Sequence, residues 1–311
     1  MRIALTGATG YVGGAVLRRL LRRGHEVRAL VRRTDRAGRL RDLGAVELVP
    51  GGLDDEAALR SLAEGTEAVA HLVGIIAETG TQTYRRVHVE GTARLAAAAQ
   101  AAGVRRFLHM SALGARPDAS ATAYHRSKAA GEEQVRRSGL SHAILRPAII
   151  AGPGNVPLKL MCDIIRLAPV VPVIGDGRYR MQPVWLEDVA EAFAVALERP
   201  DLAGTFEIAG PEQLTWHEML DRIEAALGVK RPRVGVPLPL VRLGAAGGDL
   251  VPDLAPITSD QLQMLLEGST TAENALETRF GIRPRAFGEV AREMCSAYAS
   301  RPTGAPPAPA A

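Results

Sequence analysis

Short apolar runs alternate with amphipathic segments through the first half of the chain. Strand-like runs are "RIALTG", "HEVRALVR", "AVELVPG", "EAVAHLVG", "RRFLHMSA" and "SHAILRPAII". The segments between them predict helices at residues 11–23, 34–43, 53–65, 84–102 and 124–137. Nearly continuous apolar strands that alternate with helices indicate a parallel sheet covered on both faces. We therefore expect an α/β fold with a doubly wound parallel sheet.

The pattern changes after residue 150. Segments rich in Pro and Gly separate shorter elements, and helices are predicted at residues 186–198 and 215–227 around the strand-like "GTFEIAG". We expect residues 1–150 to form the main domain and residues 151–300 a smaller, partly discontinuous portion. Elements near residues 184–210 are apolar enough to rejoin the main core. Residues 301–311, "RPTGAPPAPAA", predict a disordered tail.

Composition is that of a soluble globular protein, with 47% hydrophobic and 23% charged residues among 311. The net charge is +4, and the basic residues are interspersed with acidic ones, which argues against a nucleic-acid partner.

The longest apolar run, "AVAHLVGIIA", is about half as long as a membrane span needs. The chain opens directly on a strand, without a signal-peptide pattern. We expect a cytoplasmic protein without a transmembrane segment.

The two cysteines and seven histidines show no metal-ligand spacing. Cys162 and Cys295 are expected to be buried, reduced thiols. No metal site is therefore predicted.

The stretch "LTGATGYVGG", residues 5–14, joins the first strand to the first helix. A helix N-terminus offers unpaired N–H groups and a partial positive charge to a pyrophosphate. Gly7 permits the tight turn, Gly10 removes a Cβ that would block the phosphate, and Gly13 lets the helix pack against the strand. The sequence thus predicts a Rossmann-type dinucleotide site. The alternative is a tight strand–helix turn that binds nothing.

The second strand ends in "RALVRR", without the carboxylate that usually binds the ribose of NAD. The first carboxylate, Asp35, lies beyond the strand end. Arg32 and Arg33 are near that position, and a guanidinium suits a 2′-phosphate in charge and geometry. We expect NADP(H) to be preferred over NAD(H). The alternative is an ordinary basic loop.

The motif "YHRSK" places Tyr124 and Lys128 on one face of a predicted helix, one turn apart. An ammonium group beside a phenol is expected to lower the phenol's pKa from about 10. Tyr124 could then act as acid or base at a carbonyl or alcohol during hydride transfer. Ser111, at the end of the preceding strand, could polarise a substrate carbonyl. The alternative is an exposed helix pair without catalytic function.

These pieces together resemble the short-chain dehydrogenase/reductase superfamily, in its extended or atypical branch. The matching stretches are "TGATGYVGG", "VHVEGT", "MSALGA", "YHRSK", "LRPAIIAGPG" and "VWLEDVAEAF". Within it, "HLVGII" and "HMSALGARPDA" are most similar to the group of the nucleotide-binding accessory subunit of respiratory complex I and its bacterial relatives, which are epimerase/dehydratase-like.

The resemblance implies a sheet of about seven parallel strands with NAD(P)H across its C-terminal edge. The resemblance also implies which residues would lie around each part of the cofactor. The pyrophosphate would be surrounded by Gly7, Thr9, Gly10, Tyr11, Val12 and Gly13. Arg32 would bind the 2′-phosphate, Leu53 and Asp54 would lie by the adenine, Leu72, Val73 and Gly74 would line the ribose side, and Tyr124, Lys128 and Pro147 would flank the nicotinamide.

Two positions depart from the superfamily pattern. His88 replaces an Asn that often helps to relay protons, and Gly52 replaces the acidic residue of a "GDL" sequence. The second change puts adenine recognition in doubt unless Asp54 compensates.

Two functions follow. The first is an NAD(P)H-dependent oxidoreductase or epimerase-like enzyme, in which Tyr124 and Lys128 act on a small-molecule substrate. The apolar stretch "VPLKLMCDIIRLAPVVPVIG" suggests a hydrophobic or quinone-like substrate, although ordinary packing explains it equally well. The second is a non-catalytic NAD(P)H-binding accessory or sensor protein of a membrane respiratory or quinone-synthesis assembly. The oligomeric state stays open.

Overall fold

A seven-stranded sheet forms the centre of the computed structural model, which describes residues 1–33, 37, 40, 42–249 and 257–299. Its strands are all parallel and lie in the order β11-β6-β5-β4-β1-β2-β3. They comprise β1 (Arg2–Thr6), β2 (Glu26–Val31), β3 (Val46–Pro50), β4 (Ala68–His71), β5 (Arg106–Met110), β6 (Ser141–Pro147) and β11 (Gly204–Ile208). The expected doubly wound, Rossmann-type α/β fold is confirmed.

Helices cover both faces of the sheet. The helices before the smaller portion are α1 (Tyr11–Arg22), α2 (Glu56–Ala63), α3 (Gly91–Ala101) and α4 (Ala123–Arg137). The later ones are α5 (Val156–Leu167), α6 (Leu186–Glu198), α7 (Trp216–Leu227), α8 (Leu238–Gly248), α9 (Ser259–Glu267), α10 (Ala275–Thr278) and α11 (Phe287–Ala299).

Successive side chains of β1 point to opposite faces of the sheet, and each face packs against its own layer of helices. Ile3 and Leu5 pack with α1 and α6 on one face, whereas Ala4 points the opposite way and packs with α2 and α3. Both clusters are built mainly from aliphatic side chains. Helix α6 and strand β11, although late in sequence, belong to this main core.

The remaining elements form a third apolar cluster beside the C-terminal part of the sheet. It packs α5, α7 and α11 around Cys162, Trp185 and Phe287. Short strand pairs support it: β7 (Ile150–Ala151), β8 (Val171–Ile174), β9 (Arg180–Met181), β10 (Val184–Trp185), β12 (Leu214–Thr215) and β13 (Arg233–Val236).

The segment expected to be one helix over residues 84–102 is divided. A π-helical turn, Arg85–Glu90, precedes α3. Such turns add one residue to the helical repeat and are frequent at functional sites. The short helix expected at residues 34–43 falls largely outside the described residues, and the expected tail at residues 301–311 lies entirely outside them.

Candidate active site

Two positions in the turn after β1 can be occupied only by glycine. Gly7 has φ +81°, and a Cβ there would lie 3.1 Å from the carbonyl carbon of Leu72 and 3.1 Å from the nitrogen of Val73. A Cβ on Gly13 would lie 1.9 Å from the carbonyl oxygen of Gly7. The glycines therefore let β1, the loop after β4 and the first turn of α1 meet at backbone distance.

Helix α1 begins beside this meeting point. Gly10 is its N-cap, and the Gly10 N–H donates to the Gly7 carbonyl (2.9 Å). Within the described chain, no side chain caps this helix and its first turn contains no acidic residue. Its amide edge thus keeps the positive character that suits a pyrophosphate. Thr9, Tyr11 and Val12 lie in this turn, as the sequence places them.

An open depression of about 710 Å³ lies at the carboxyl ends of β2 and β3. It is lined by Arg32, Gly51, Gly52, Asp54, Asp55 and Glu56. The Asp54 carboxylate accepts from the Arg86 guanidinium at 2.6 Å, which lowers the pKa of Asp54. A Cβ on Gly52 would lie 2.6 Å from Asp54 Oδ1. The Asp54 carboxylate therefore fills the space beside Gly52 that a side chain there would occupy.

The arginines near the end of β2 differ in their availability. Arg32 is exposed and lines the depression, and Arg33 is exposed as well. Arg28 is buried, and its guanidinium donates to the backbone carbonyl of Glu64 (2.7 Å) and to Glu47 (2.8 Å). The Arg28 guanidinium is therefore engaged within the fold, whereas Arg32 lines the depression. Nearby, Leu53 packs against Gly91.

Lys128 is buried at the other end of the glycine groove. Its Nζ donates to the Met110 carbonyl (2.6 Å) and lies 3.5 Å from where a Cβ on Gly74 would stand. Burial lowers the pKa of Lys128 to about 8, and Glu132 partly opposes that shift. The structure thus brings Lys128 next to Gly74, in the segment after β4.

Tyr124 lies one helical turn before Lys128, in an aromatic setting. Its ring meets those of Tyr84 and His88 edge to face, at centroid distances of 6.0 and 5.8 Å. Its backbone N–H donates to the Asp260 carboxylate (3.2 Å). Burial raises the pKa of Tyr124 to about 12. The expectation that Lys128 lowers this pKa is wrong for the protein alone, because desolvation of the phenol is the dominant effect.

Ser111 is buried, and its Oγ has no hydrogen-bond partner among the described residues. Nearby, the carboxylate of Glu132 is fully buried and binds Arg146 and Arg136. Burial raises the pKa of Glu132, but the hydrogen bonds and charge of the arginines outweigh that effect and hold the pKa below its usual value. The substrate role of Ser111 stays a prediction. Pro147 ends β6, and its carbonyl accepts the Leu113 N–H (2.9 Å).

His88 joins the loop after β4 to the helix of Tyr124. Its Nε2 accepts the Ile75 N–H (3.0 Å), so Nδ1 carries the proton and donates to Ser127 Oγ (2.7 Å). Ser127 donates in turn to the Tyr124 carbonyl (2.7 Å). Burial lowers the pKa of His88 to about 3, so the ring is neutral. Sequence reasoning noted His88 only as a departure; nothing in the sequence reveals these partners.

Among the residues that the structure describes, no cluster of His, Cys, Asp and Glu is arranged to hold a metal ion. Within those same residues, no helix has the length and apolar character needed to cross a bilayer.

A doubly wound sheet whose first helix begins at a three-glycine turn defines the class of dinucleotide-binding oxidoreductases. The sequence matches the NAD dependent epimerase/dehydratase family over residues 3–209, and the chain belongs to that family. The resemblance drawn from the sequence motifs is therefore confirmed.

Relatives of known name include reductases and respiratory subunits. The ceramide reductase of Caulobacter vibrioides is 36% identical over 239 residues, covering 76% of this chain and 74% of that protein. Subunit 9 of the NADH dehydrogenase [ubiquinone] 1 alpha subcomplex of Arabidopsis thaliana is 28% identical over 288 residues, covering 87% and 71%. Sterol demethylase protein B of Methylococcus capsulatus is 31% identical over 263 residues, covering 76% and 78%.

Solved structures share the fold along almost the whole chain. The crystal structure of gox2253 has a TM-score of 0.75 at 25% identity and covers 96% of this chain and 98% of its own. A UDP-glucuronic acid 4-epimerase of Bacillus cereus in complex with NAD has a TM-score of 0.75 at 16% identity, with coverage of 96% and 99%. At that identity the second likeness concerns the fold alone.

Proposed function

We propose that this protein is an NADP(H)-dependent oxidoreductase that transfers hydride to or from a carbonyl or alcohol of an apolar substrate. The observation that carries the proposal is that Tyr124 and Lys128 lie one turn apart on α4 and that Lys128 Nζ is close to Gly74, at the end of the glycine groove. Residues 1–150, with elements near 184–210, would bind the cofactor, and residues 151–300 would complete the substrate site.

The groove suits a dinucleotide because its narrow points are glycines and its helix edge has no cap. Gly7, Gly10 and Gly13 would hold the pyrophosphate, and Arg32 would bind a 2′-phosphate at the adenosine end. The bound nicotinamide supplies the hydride chemistry.

The two side chains at the other end would divide the remaining work. In the reducing direction, the Tyr124 hydroxyl gives its proton to the carbonyl oxygen while the carbonyl carbon gains hydride, and the phenolate then takes a proton from solvent. A phenol with a pKa of about 12 remains protonated at neutral pH, as a proton donor must. The Lys128 ammonium stabilises the developing phenolate and binds the ribose.

An apolar substrate is favoured by the relatives named for ceramide and sterol chemistry. Exposed apolar side chains on α5, including Val156 and Leu160, agree with it. A quinone or a lipid-like ketone belongs to this class.

The test is a steady-state assay of NADPH oxidation with long-chain ketones and quinones, using the wild type, Tyr124→Phe and Tyr179→Phe. Tyr179 is a matched control, since its phenol is also largely buried but lies in the smaller portion. We expect Tyr124→Phe to lower kcat by about 10²–10⁴-fold, the usual contribution of general acid catalysis. NADPH affinity should not change, and Tyr179→Phe should keep wild-type turnover. Equal turnover in Tyr124→Phe and wild type contradicts the catalytic role.

A second candidate is a non-catalytic NAD(P)H-binding subunit or sensor associated with a respiratory or quinone-synthesis assembly. The relatives named as complex I subunits favour it. The same assay separates the two functions: tight NADPH binding without oxidation by any acceptor supports the accessory role.

A further inference from the structure

Exposed large hydrophobic side chains are concentrated in the smaller portion of the molecule. Ten are exposed among the described residues, and seven of them lie between residues 156 and 243. We call these seven the apolar strip: Val156, Leu160, Leu167, Val170, Val234, Leu240 and Leu243. Leu243 and Leu167 are 74% and 70% exposed. Single exposed leucines are ordinary, but a contiguous group marks an interaction surface.

Helix spacing and strand pairing relate the members of the strip to one another. Val156, Leu160 and Leu167 are spaced i, i+4 and i+11 on α5, so they share one face of that helix. In the β8–β13 ladder, Val234 lies opposite Pro172, and both are exposed. A Cβ on Gly175, just after β8, would lie 3.3 Å from Leu238, the first residue of α8. Helix α8 then carries Leu240 and Leu243.

Positive charge accompanies the strip. Residues 228–248 contain four basic residues and no Asp or Glu. Lys230 and Arg242 are exposed, and among the described residues no carboxylate pairs with either. Arg231 donates to the carbonyls of Ile165 (3.0 Å) and Arg166 at the end of α5. Arg233 is neutralised by Asp221 and Glu224.

We propose that the apolar strip docks this protein on the surface of an anionic lipid bilayer. Exposed leucines beside unpaired cations are the pattern of a segment that lies in the membrane interface, with the apolar side chains below the headgroups. A protein partner or a second copy would more commonly cover such a patch with carboxylates opposite the free cations. The end of the strip at α5 begins next to Tyr11 and Gly154, beside the glycine groove.

The proposal deepens the proposed function, because a bilayer is the phase from which an apolar substrate would come. It does not require turnover, so the two are tested separately. On one preparation, NADPH affinity reports the cofactor site, and vesicle binding reports the docking surface.

The experiment is flotation of the full chain with vesicles of phosphatidylcholine alone or with phosphatidylglycerol added. We expect binding to the anionic vesicles that weakens as salt is raised. The double variant Leu240→Glu/Leu243→Glu should lose at least about tenfold in partitioning, since each buried leucine contributes on the order of a tenfold factor. Lys230→Gln/Arg242→Gln should lose about 25-fold in partitioning, or about 5-fold per charge.

Leu43→Glu is the matched control, because Leu43 is exposed but lies outside the strip. It should bind vesicles as the wild type does, and every variant should bind NADPH with wild-type affinity. Failure of the wild type to float, equal binding to neutral and anionic vesicles, or unchanged binding of the leucine variant each overturns the proposal. Loss of self-association in the leucine variant, without vesicle binding by the wild type, would assign the strip to contact between copies instead.

Discussion

Gly13 and Gly14 are adjacent in α1, yet a side chain would have a different consequence at each. A Cβ on Gly13 would lie 1.9 Å from the Gly7 carbonyl oxygen, whereas one on Gly14 would meet its nearest atom, in the Arg18 side chain, at 3.5 Å. The first contact involves backbone that cannot move without opening the turn. Gly13 therefore holds the cofactor groove in shape, and Gly14 does not.

This difference makes a prediction about stability. Gly13→Ala should lower the free energy of unfolding by about 1–3 kcal/mol, the usual cost of overpacking. Gly14→Ala should raise it by about 0.5–1 kcal/mol, because alanine is the better helix former. Urea unfolding followed by circular dichroism measures both. Equal effects at the two positions would show that the turn is looser than the structure has it.

Lys128 gives the site a pH dependence. Burial lowers its pKa to about 8 from an ordinary value of 10.5, so the ammonium is lost as the pH rises through 8. NADPH affinity should therefore fall above pH 8, by up to about tenfold per pH unit. Lys128→Met should bind NADPH more weakly and without this dependence. Fluorescence titrations from pH 7 to 9.5 test this, and a flat wild-type profile contradicts a role for the ammonium in binding.

The same pKa shift affects stability with the opposite sign. Between pH 8 and 10.5 the unfolded chain binds the proton on Lys128 that the folded chain has released. The contribution of Lys128 to the free energy of unfolding should therefore increase as the pH rises from 8 to 10.5. Over the same interval the affinity for the cofactor should fall.

Sequence reasoning proposed several site residues but not their chemical states. Gly7, Gly13 and Lys128 follow from spacing, because the local turn and helix alone decide where they lie. The raised pKa of Tyr124 and the burial of Ser111 depend on what tertiary packing places around them. No local pattern contains that information.

At the scale of elements, a buried ion pair joins the helix of Tyr124 to the sheet. Glu132 of α4 is fully buried and accepts two hydrogen bonds of 2.7 Å from Arg146 of β6. The pair fixes α4 against β6, and so positions Tyr124 and Lys128 two turns and one turn earlier on the same helix. Its two members are 14 residues apart, and only the fold reveals that they meet.

Removing one charge of this pair should be costly. Glu132→Gln leaves the Arg146 guanidinium without its carboxylate and should lower the free energy of unfolding by about 3–5 kcal/mol. Glu133→Gln, at the exposed neighbouring position that pairs with Arg137, should cost no more than about 1 kcal/mol. Urea unfolding of both variants provides the comparison. Similar small losses would mean that Glu132 does not anchor the helix.

The division of the helix predicted at residues 84–102 has a physical cause outside the segment. A Cβ on Gly131 of α4 would lie 2.5 Å from the His88 carbonyl oxygen, so the two helices approach to backbone distance at the π-helical turn. The apolar spacing of residues 84–102 carries no trace of that contact. The strands were predicted more accurately, because most of them are buried runs whose ends are marked by Gly or by charged residues.

At the scale of the whole molecule, the residues that the proposed chemistry uses lie at one edge of the sheet, where its parallel strands end. The glycine turn follows β1, Arg32 follows β2, Gly74 follows β4, and Lys128 reaches the end of β5 through the Met110 carbonyl. A doubly wound order brings the carboxyl ends of these strands together at one edge of the sheet. The smaller portion was harder to predict, because its short strands pair with partners far away in sequence.

NADPH binding to the wild type and to Gly10→Val, measured side by side by isothermal titration calorimetry, tests the central claim most directly. A branched side chain at the N-cap of α1 would occupy the approach to the amide edge, so we expect an affinity at least about 100-fold weaker than wild type in a variant that remains folded by circular dichroism. Gly14→Ala should bind as the wild type does. Equal affinity in folded Gly10→Val and wild type would place the dinucleotide somewhere other than this turn.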